Sequence, residues 1–157
     1  MIPIQTLAEF LRGNIDLSTG TYRALLLKDT TAYTPDATAH TFVSDVVDNG
    51  TTAEEYDDTN YARVDVTGLS VTEDTTDAEA VFDADDLVWS ALGSNTGGQT
   101  VQAVILYEQV GGDDTTPADD RIIRVWDDST ESALPKQTNG EDFTWEINAE
   151  GVLNLTP

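Results

Sequence analysis

The chain has no cysteine in its 157 residues, one histidine, one methionine and only seven lysines and arginines. Without cysteine there is no disulfide staple and no thiolate metal site. A single histidine, His40, leaves too few nitrogen ligands for a zinc centre. The few cations are scattered, which argues against nucleic acid as a partner, because phosphate binding needs grouped Lys and Arg. No run of about 18 apolar residues is present, so no membrane-spanning helix is expected. The start, Met1-Ile2-Pro3-Ile4-Gln5, lacks a basic region followed by a long apolar stretch and does not read as a signal peptide.

What the chain does have is acid. Thirty Asp and Glu give a formal net charge of −23, whereas a small soluble domain carries a net charge of magnitude roughly 2–8. Such an excess repels itself and destabilises a compact state in dilute buffer. Disorder is one way to satisfy it. Folding in concentrated salt is the other, since the Debye length shrinks to about 3 Å at 1 M. The pattern favours salt. The acids come in pairs spread along the chain, among them Glu54-Glu55, Asp57-Asp58, Asp113-Asp114, Asp119-Asp120 and Asp127-Asp128, and apolar strand patterns separate them. Asp outnumbers Glu, and the only lysines are Lys28 and Lys136. This usage resembles that of haloarchaeal and other extremely halophilic proteins; an ordinary acidic phage protein is the alternative.

The length fits one domain spanning 1–157, large enough to bury about 68–70% of its unfolded surface. Leu7, Phe10 and Leu11 fall at helical spacing and predict a short helix over 4–12. In that reading Thr6 and Glu9 form a capping box and Gly13 ends the helix. From there the period becomes two. Strands are expected over 21–27, 62–71, 79–82, 87–92, 101–110, 122–126, 142–147 and 152–155, with 41–47 a short strand or irregular arm. Tyr33-Thr34-Pro35-Asp36 reads as a turn, 94–99 as a Gly-rich turn, and 50–60 and 111–120 as acidic loops. Gly151 is placed to bend the chain before its last strand. The apolar centre of 101–110 fits a strand packed on both faces. The expected fold is all-β, an antiparallel β-sandwich of jelly-roll or immunoglobulin-like order with a short N-terminal helix.

Chemistry is hard to find in this pattern. His40 has no nucleophile-elbow serine to serve, and reads as a solvent-facing or loop histidine near the Tyr33 turn. Asp83, Asp85 and Asp86, and the run from Asp113-Asp114 to Asp119-Asp120, offer calcium-type oxygens. They lack EF-hand spacing, and a halophilic surface supplies solvated acids everywhere. Paired carboxylates for glycoside hydrolysis arise by chance among thirty acids. Trp89, Trp126 and Trp145 lie within strand patterns and read as core, not as sugar platforms. Gly97-Gly98 and Gly111-Gly112 are not followed by Lys-Ser or Lys-Thr and are loop glycines. The helix stripe is either a docking element or packed on the sandwich, the latter being favoured. No catalytic, cofactor or metal residue is assigned, and no enzyme is expected.

Several stretches, in order, carry a resemblance. Leu7-Ala8-Glu9-Phe10-Leu11-Arg12 runs into Gly13-Asn14-Ile15-Asp16-Leu17, and the strand Tyr22 to Leu27 follows. Tyr33-Thr34-Pro35-Asp36 and His40-Thr41-Phe42-Val43-Ser44-Asp45-Val46 come next. Ala80-Val81-Phe82-Asp83-Ala84-Asp85-Asp86-Leu87-Val88-Trp89-Ser90, Val104-Ile105-Leu106-Tyr107 and Asn139 to Leu153 complete the set. Together they resemble small accessory structural proteins of tailed phages, prophages and tailed archaeal (haloarchaeal) viruses. The resemblance implies a non-enzymatic virion component, foremost a capsid decoration, cement or turret protein. It would sit on the major capsid protein lattice or another virion protein as a homo-oligomer such as a trimer. The particle would be assembled in the host cytoplasm in high salt. A tail, baseplate or fibre-associated protein remains open, as does a host-surface glycan-binding module. On this resemblance the acidic loops 50–60 and 111–120 look like halophilic elaborations.

Overall fold

Two nearly uninterrupted apolar runs form the centre of the molecule. In the computed structural model, which describes residues 1–29, 33–47, 54–127, 129, 131–148 and 150–156, they become β1 (Tyr22–Lys28) and β7 (Thr100–Glu108). The two pair antiparallel from Tyr22↔Glu108 to Lys28↔Val101. β8 (Arg121–Asp127) pairs antiparallel with the other edge of β7. Two short strands, β2 (Glu54–Glu55) and β3 (Val64–Asp65), share the outer edge of β1. The sheet order is therefore β2-β1-β7-β8.

Both faces of this sheet are covered, which is why its central strands read as continuous and not alternating. One face presents Ala24, Leu26, Val104, Leu106 and Ile123 to the larger core. Opposite them lie two smaller antiparallel ladders. β6 (Leu87–Trp89) pairs with β10 (Phe143–Trp145). β5 (Glu79–Asp83) lies between β4 (Ser70–Asp74) and β11 (Leu153–Leu155). The other face presents Leu25, Leu27, Ala103, Ile105 and Tyr107 to an arm carrying Tyr33, Val43, Val46 and Val47. The arm holds one bridge, Phe42 to Arg121, and one 3-10 turn, Val43–Asp45. β9 (Lys136–Gln137) adds to the start of β7. The fold is all-β, antiparallel and sandwich-like, with the one short helix α1 (Ile4–Arg12) at its N-terminal end.

Four local expectations are corrected. The alternating stretch 62–71 is not one strand. It breaks at Gly68, whose φ of +67° would strain any side chain there, and the chain passes from the large sheet to the three-stranded one. The loop 50–60 is not all polar loop. Among its described residues Glu54–Glu55 form β2, and Tyr56 is a core residue, 1% exposed; residues 50–53 lie outside the described residues. Thr6 does not cap α1. The cap position is Pro3, without a side-chain bond, and Thr6 is buried inside the helix, its hydroxyl donating to the Ile122 carbonyl at 2.6 Å. The stripe of α1 packs inward only in part: Phe10 lies against the larger core, whereas Leu7 and Leu11 are exposed, and Thr6 faces the sheet. Two other expectations hold, since α1 ends at Gly13 and Gly151 bends the chain into β11. A Cβ at Gly151 would stand 2.5 Å from the Phe82 carbonyl oxygen.

Candidate interaction surfaces and the charge network

Each of the scarce cations has a partner, and those along β1 and β3 are largely covered. Arg63, its side chain 11% exposed, forms a two-pronged pair with Glu55: Nε donates to Oε1 at 2.8 Å and Nη2 to Oε2 at 2.7 Å. A planar guanidinium fits a carboxylate in this way and a lysine does not. Tyr61 donates its hydroxyl to the same Glu55 at 2.7 Å. Arg23, on β1, pairs with Asp114 and with Asp65. Asp114 also accepts from the Tyr107 hydroxyl at 2.7 Å and from Gln109 at 2.8 Å. Burial works to raise the Asp114 pKa, but these hydrogen bonds with the Arg63 and Arg23 charges hold it below the usual carboxylate range. At the far end of β1, Lys28 lies 3.0 Å from both Glu54 and Asp57.

The remaining cations lie on rings, backbone or a near neighbour. Arg124 donates to the Val152 carbonyl and stacks on Trp126. Arg121 lies over Phe42 and Lys136 over Phe143. Arg12 pairs with Glu9 one turn back. Cation–ring contacts of this kind contribute roughly 0.5–2 kcal/mol each. Their larger consequence is for the exterior, where few cations are left to offset thirty acids.

The residues singled out by sequence fall into different roles. His40 is buried, not solvent-facing: it is 6% exposed, stacks on Tyr33 with centroids 5.5 Å apart, and accepts from the Asp36 N–H at Nδ1. Asp36, whose side chain accepts from the backbone of Thr38 and Ala39, begins the turn. The loop 111–120 is divided. Asp113 only closes its own turn with Thr115, whereas Asp114 joins the charge network. Asp120 is fully buried; one oxygen accepts from Val110 and the other has no donor among the described residues. Burial, with the Asp114 and Asp119 charges, raises its pKa. Asp85 accepts from the Thr67 hydroxyl and Asp86 from the Ile147 N–H. Among the described residues no three acids or histidines come together as a metal shell. No helix of the described residues is long and apolar enough to cross a membrane.

The three tryptophans are core residues, 2%, 5% and 7% exposed for Trp89, Trp126 and Trp145. Trp126 and Trp145, their rings 6.0 Å apart, form one wall of a cleft of about 350 Å³ with Glu131, Lys136 and Asn148 around it. Among the described residues two apolar surfaces stand uncovered. One is the α1 stripe, with Leu11 92% exposed. The other is the inner face of the three-stranded sheet where it runs beyond the core, with Val71 53% and Leu155 60% exposed. No family model, no curated protein and no solved structure matches this chain.

Proposed function

We propose that this chain is a non-enzymatic structural protein of a halophilic tailed-virus particle, a decoration, cement or turret protein on the outside of the head. The observation that carries the salt-adapted half of this reading is the charge arrangement. All seven Lys and Arg are engaged with acids, rings or backbone, and thirty acids face only those seven cations. Such a surface stays hydrated in brine, and salt screens neighbouring copies from one another. The virion half is supported by the resemblance of the stretches from Leu7 to Leu153. A protein that binds only the assembled shell stabilises it by mass action and needs contact surface, not turnover.

The experiment is one of location. Virions are purified in high salt, heads are separated from tails, and the chain is quantified in each fraction by mass spectrometry. The proposal predicts many copies with the heads. Heads without the chain overturn it; a few copies with tails would move the protein to the tail, baseplate or fibre.

A further inference from the structure

The edge of β8 that faces away from β7 is covered by the first residues of the chain. Val125 donates its N–H to the Met1 carbonyl at 2.8 Å, and the Thr6 hydroxyl donates to the Ile122 carbonyl at 2.6 Å. Residues 1–12 thus lie as a strap along a strand edge. Uncovered, such an edge presents unpaired N–H and C=O groups, a template for pairing with another chain. Ile2 and Phe10 are only partly buried against the core, and Ile4, Leu7 and Leu11 are exposed, so apolar burial holds the strap only in part.

A hydrogen bond ties the strap to the arm: Ile4 donates its N–H to the Ala37 carbonyl at 2.9 Å. Ala37 sits in a turn whose ends are joined twice. The His40 N–H donates to the Asp36 carbonyl at 2.9 Å, and the Asp36 N–H donates back to His40 Nδ1 at 3.1 Å. A backbone N–H can only donate, so Nδ1 is the acceptor and the neutral ring carries its proton on Nε2. The ring is buried and stacked on Tyr33, whose hydroxyl lies 3.4 Å from the same Nδ1.

We propose that His40 is a proton-operated latch for this strap. Histidine is the side chain whose charge ordinarily changes between about pH 5 and 8. A proton added to His40 goes to Nδ1 and turns the acceptor into a donor aimed at the Asp36 N–H. Two donors cannot share that contact. The Tyr33 hydroxyl can accept the new N–H, but the Asp36 N–H is left without its partner. The turn loses one of its two closures, and the Ala37 carbonyl that holds Ile4 loses its fixed position. The strap loosens as the pH falls, and the β8 edge opens.

The titratable groups about the ring do not imitate this release. The Asp36 carboxyl is held below its usual range by the Thr38 hydroxyl and the Thr38 and Ala39 N–H groups, so it stays ionised. Burial, with the Asp127 charge, pushes Tyr33 up, so it stays neutral. The Met1 amine, which shares a hollow of about 300 Å³ with Tyr33 and Asp127, is lowered by burial. It gains its proton as the pH falls, and its bond to the Val125 carbonyl then tightens the strap.

The chain has one histidine, so its ring signals need no sorting. Nitrogen NMR of the full chain in molar KCl, between about pH 8 and 5, reads the tautomer and the titration of His40. Amide protection factors at the same pH values follow the strap. The proton is expected on Nε2 at the alkaline end. Protection at Ile4, Asp36 and Val125 is expected to fall roughly tenfold, about 1.4 kcal/mol, with the midpoint of the ring, while β7 keeps its own. His40→Asn, whose Oδ1 can accept the Asp36 N–H without titrating, should keep Ile4 protected throughout; if it folds poorly, the wild-type titrations decide. A proton on Nδ1, a ring that stays neutral to the acid end, or strap protection that is flat through the ring's titration overturns the proposal. So does the same acid loss in folded His40→Asn, or a parallel loss in β7, which is global unfolding. The latch is independent of the virion reading, and no outcome here bears on it.

Discussion

In the large sheet, β1 carries Arg23 and Lys28 and is bordered by Arg63, and each of the three meets carboxylates delivered by distant parts of the chain. In the three-stranded sheet β4-β5-β11 there is no cation at all, and acids face acids. The same acidic composition thus does two different jobs. Around β1, acids neutralise buried arginines and close the sheet edge. On the small sheet they remain uncompensated beside exposed Val71 and Leu155. What separates the two is the placement of a handful of arginines, not the abundance of acid.

The comparison can be broken most forcefully at the shared core. Leu106→Ala, on the fully buried β7, should cost about 2–5 kcal/mol in a denaturant titration in high salt. Arg63→Ala should follow closely at about 3 kcal/mol, because it leaves the half-buried Glu55 without its guanidinium. Arg63→Lys should recover only part of that loss, since it restores charge but not the fork. Full recovery would mean that charge alone, not geometry, holds β2 and β3 to β1.

The pH dependence sharpens the contrast between two neighbouring acids. The folded pKa of Asp114 is lowered. Its contribution is therefore present above the ordinary value of about 3.9 and lost as the pH falls through its folded pKa. The stability gap between wild type and Asp114→Asn should shrink on acidification. The pKa of Asp120 is raised, so its contribution is present at low pH and lost as the pH rises through its folded pKa. The gap between wild type and Asp120→Asn should slope the other way. Parallel slopes in the unfolding midpoints would show that the two acids share one environment.

The smallest effects belong to the small sheet. Val71→Asp and Leu155→Asp should change stability by no more than about 0.5 kcal/mol, because both side chains already stand in water. A loss near that of Leu106→Ala would show that this face is covered in solution.

Much of this was legible from the chain alone. The bounds of α1, the two-sided burial of β7 and the core role of the tryptophans follow from periods and apolar runs, which are local. The division among the acids is not local. Asp113 and Asp114 are identical neighbours in sequence, yet Asp114 meets Arg23 from 91 positions away while Asp113 only caps its turn. His40 reads as a surface residue because its partner Tyr33 is hidden by a turn. Tyr56 reads as part of a polar loop because one aromatic among acids gives no period. The break at Gly68 was visible as a glycine, but the φ of +67° that gives it meaning belongs to the fold. For the charge network, the signal available in sequence was the scarcity of cations itself, since each of so few has to be placed.

The central proposal is that this fold ties each of its few cations to an acid, a ring or the backbone and relies on salt to hold its acid exterior together. Thermal melting followed by circular dichroism across a KCl series, from about 0.1 M, where the Debye length is near 10 Å, to 1 M and above, where it is near 3 Å or less, tests it most directly. The account predicts a melting temperature that climbs steeply with salt and a chain that is largely unfolded at the dilute end. A flat series, with cooperative melting and full stability in dilute buffer, would contradict it.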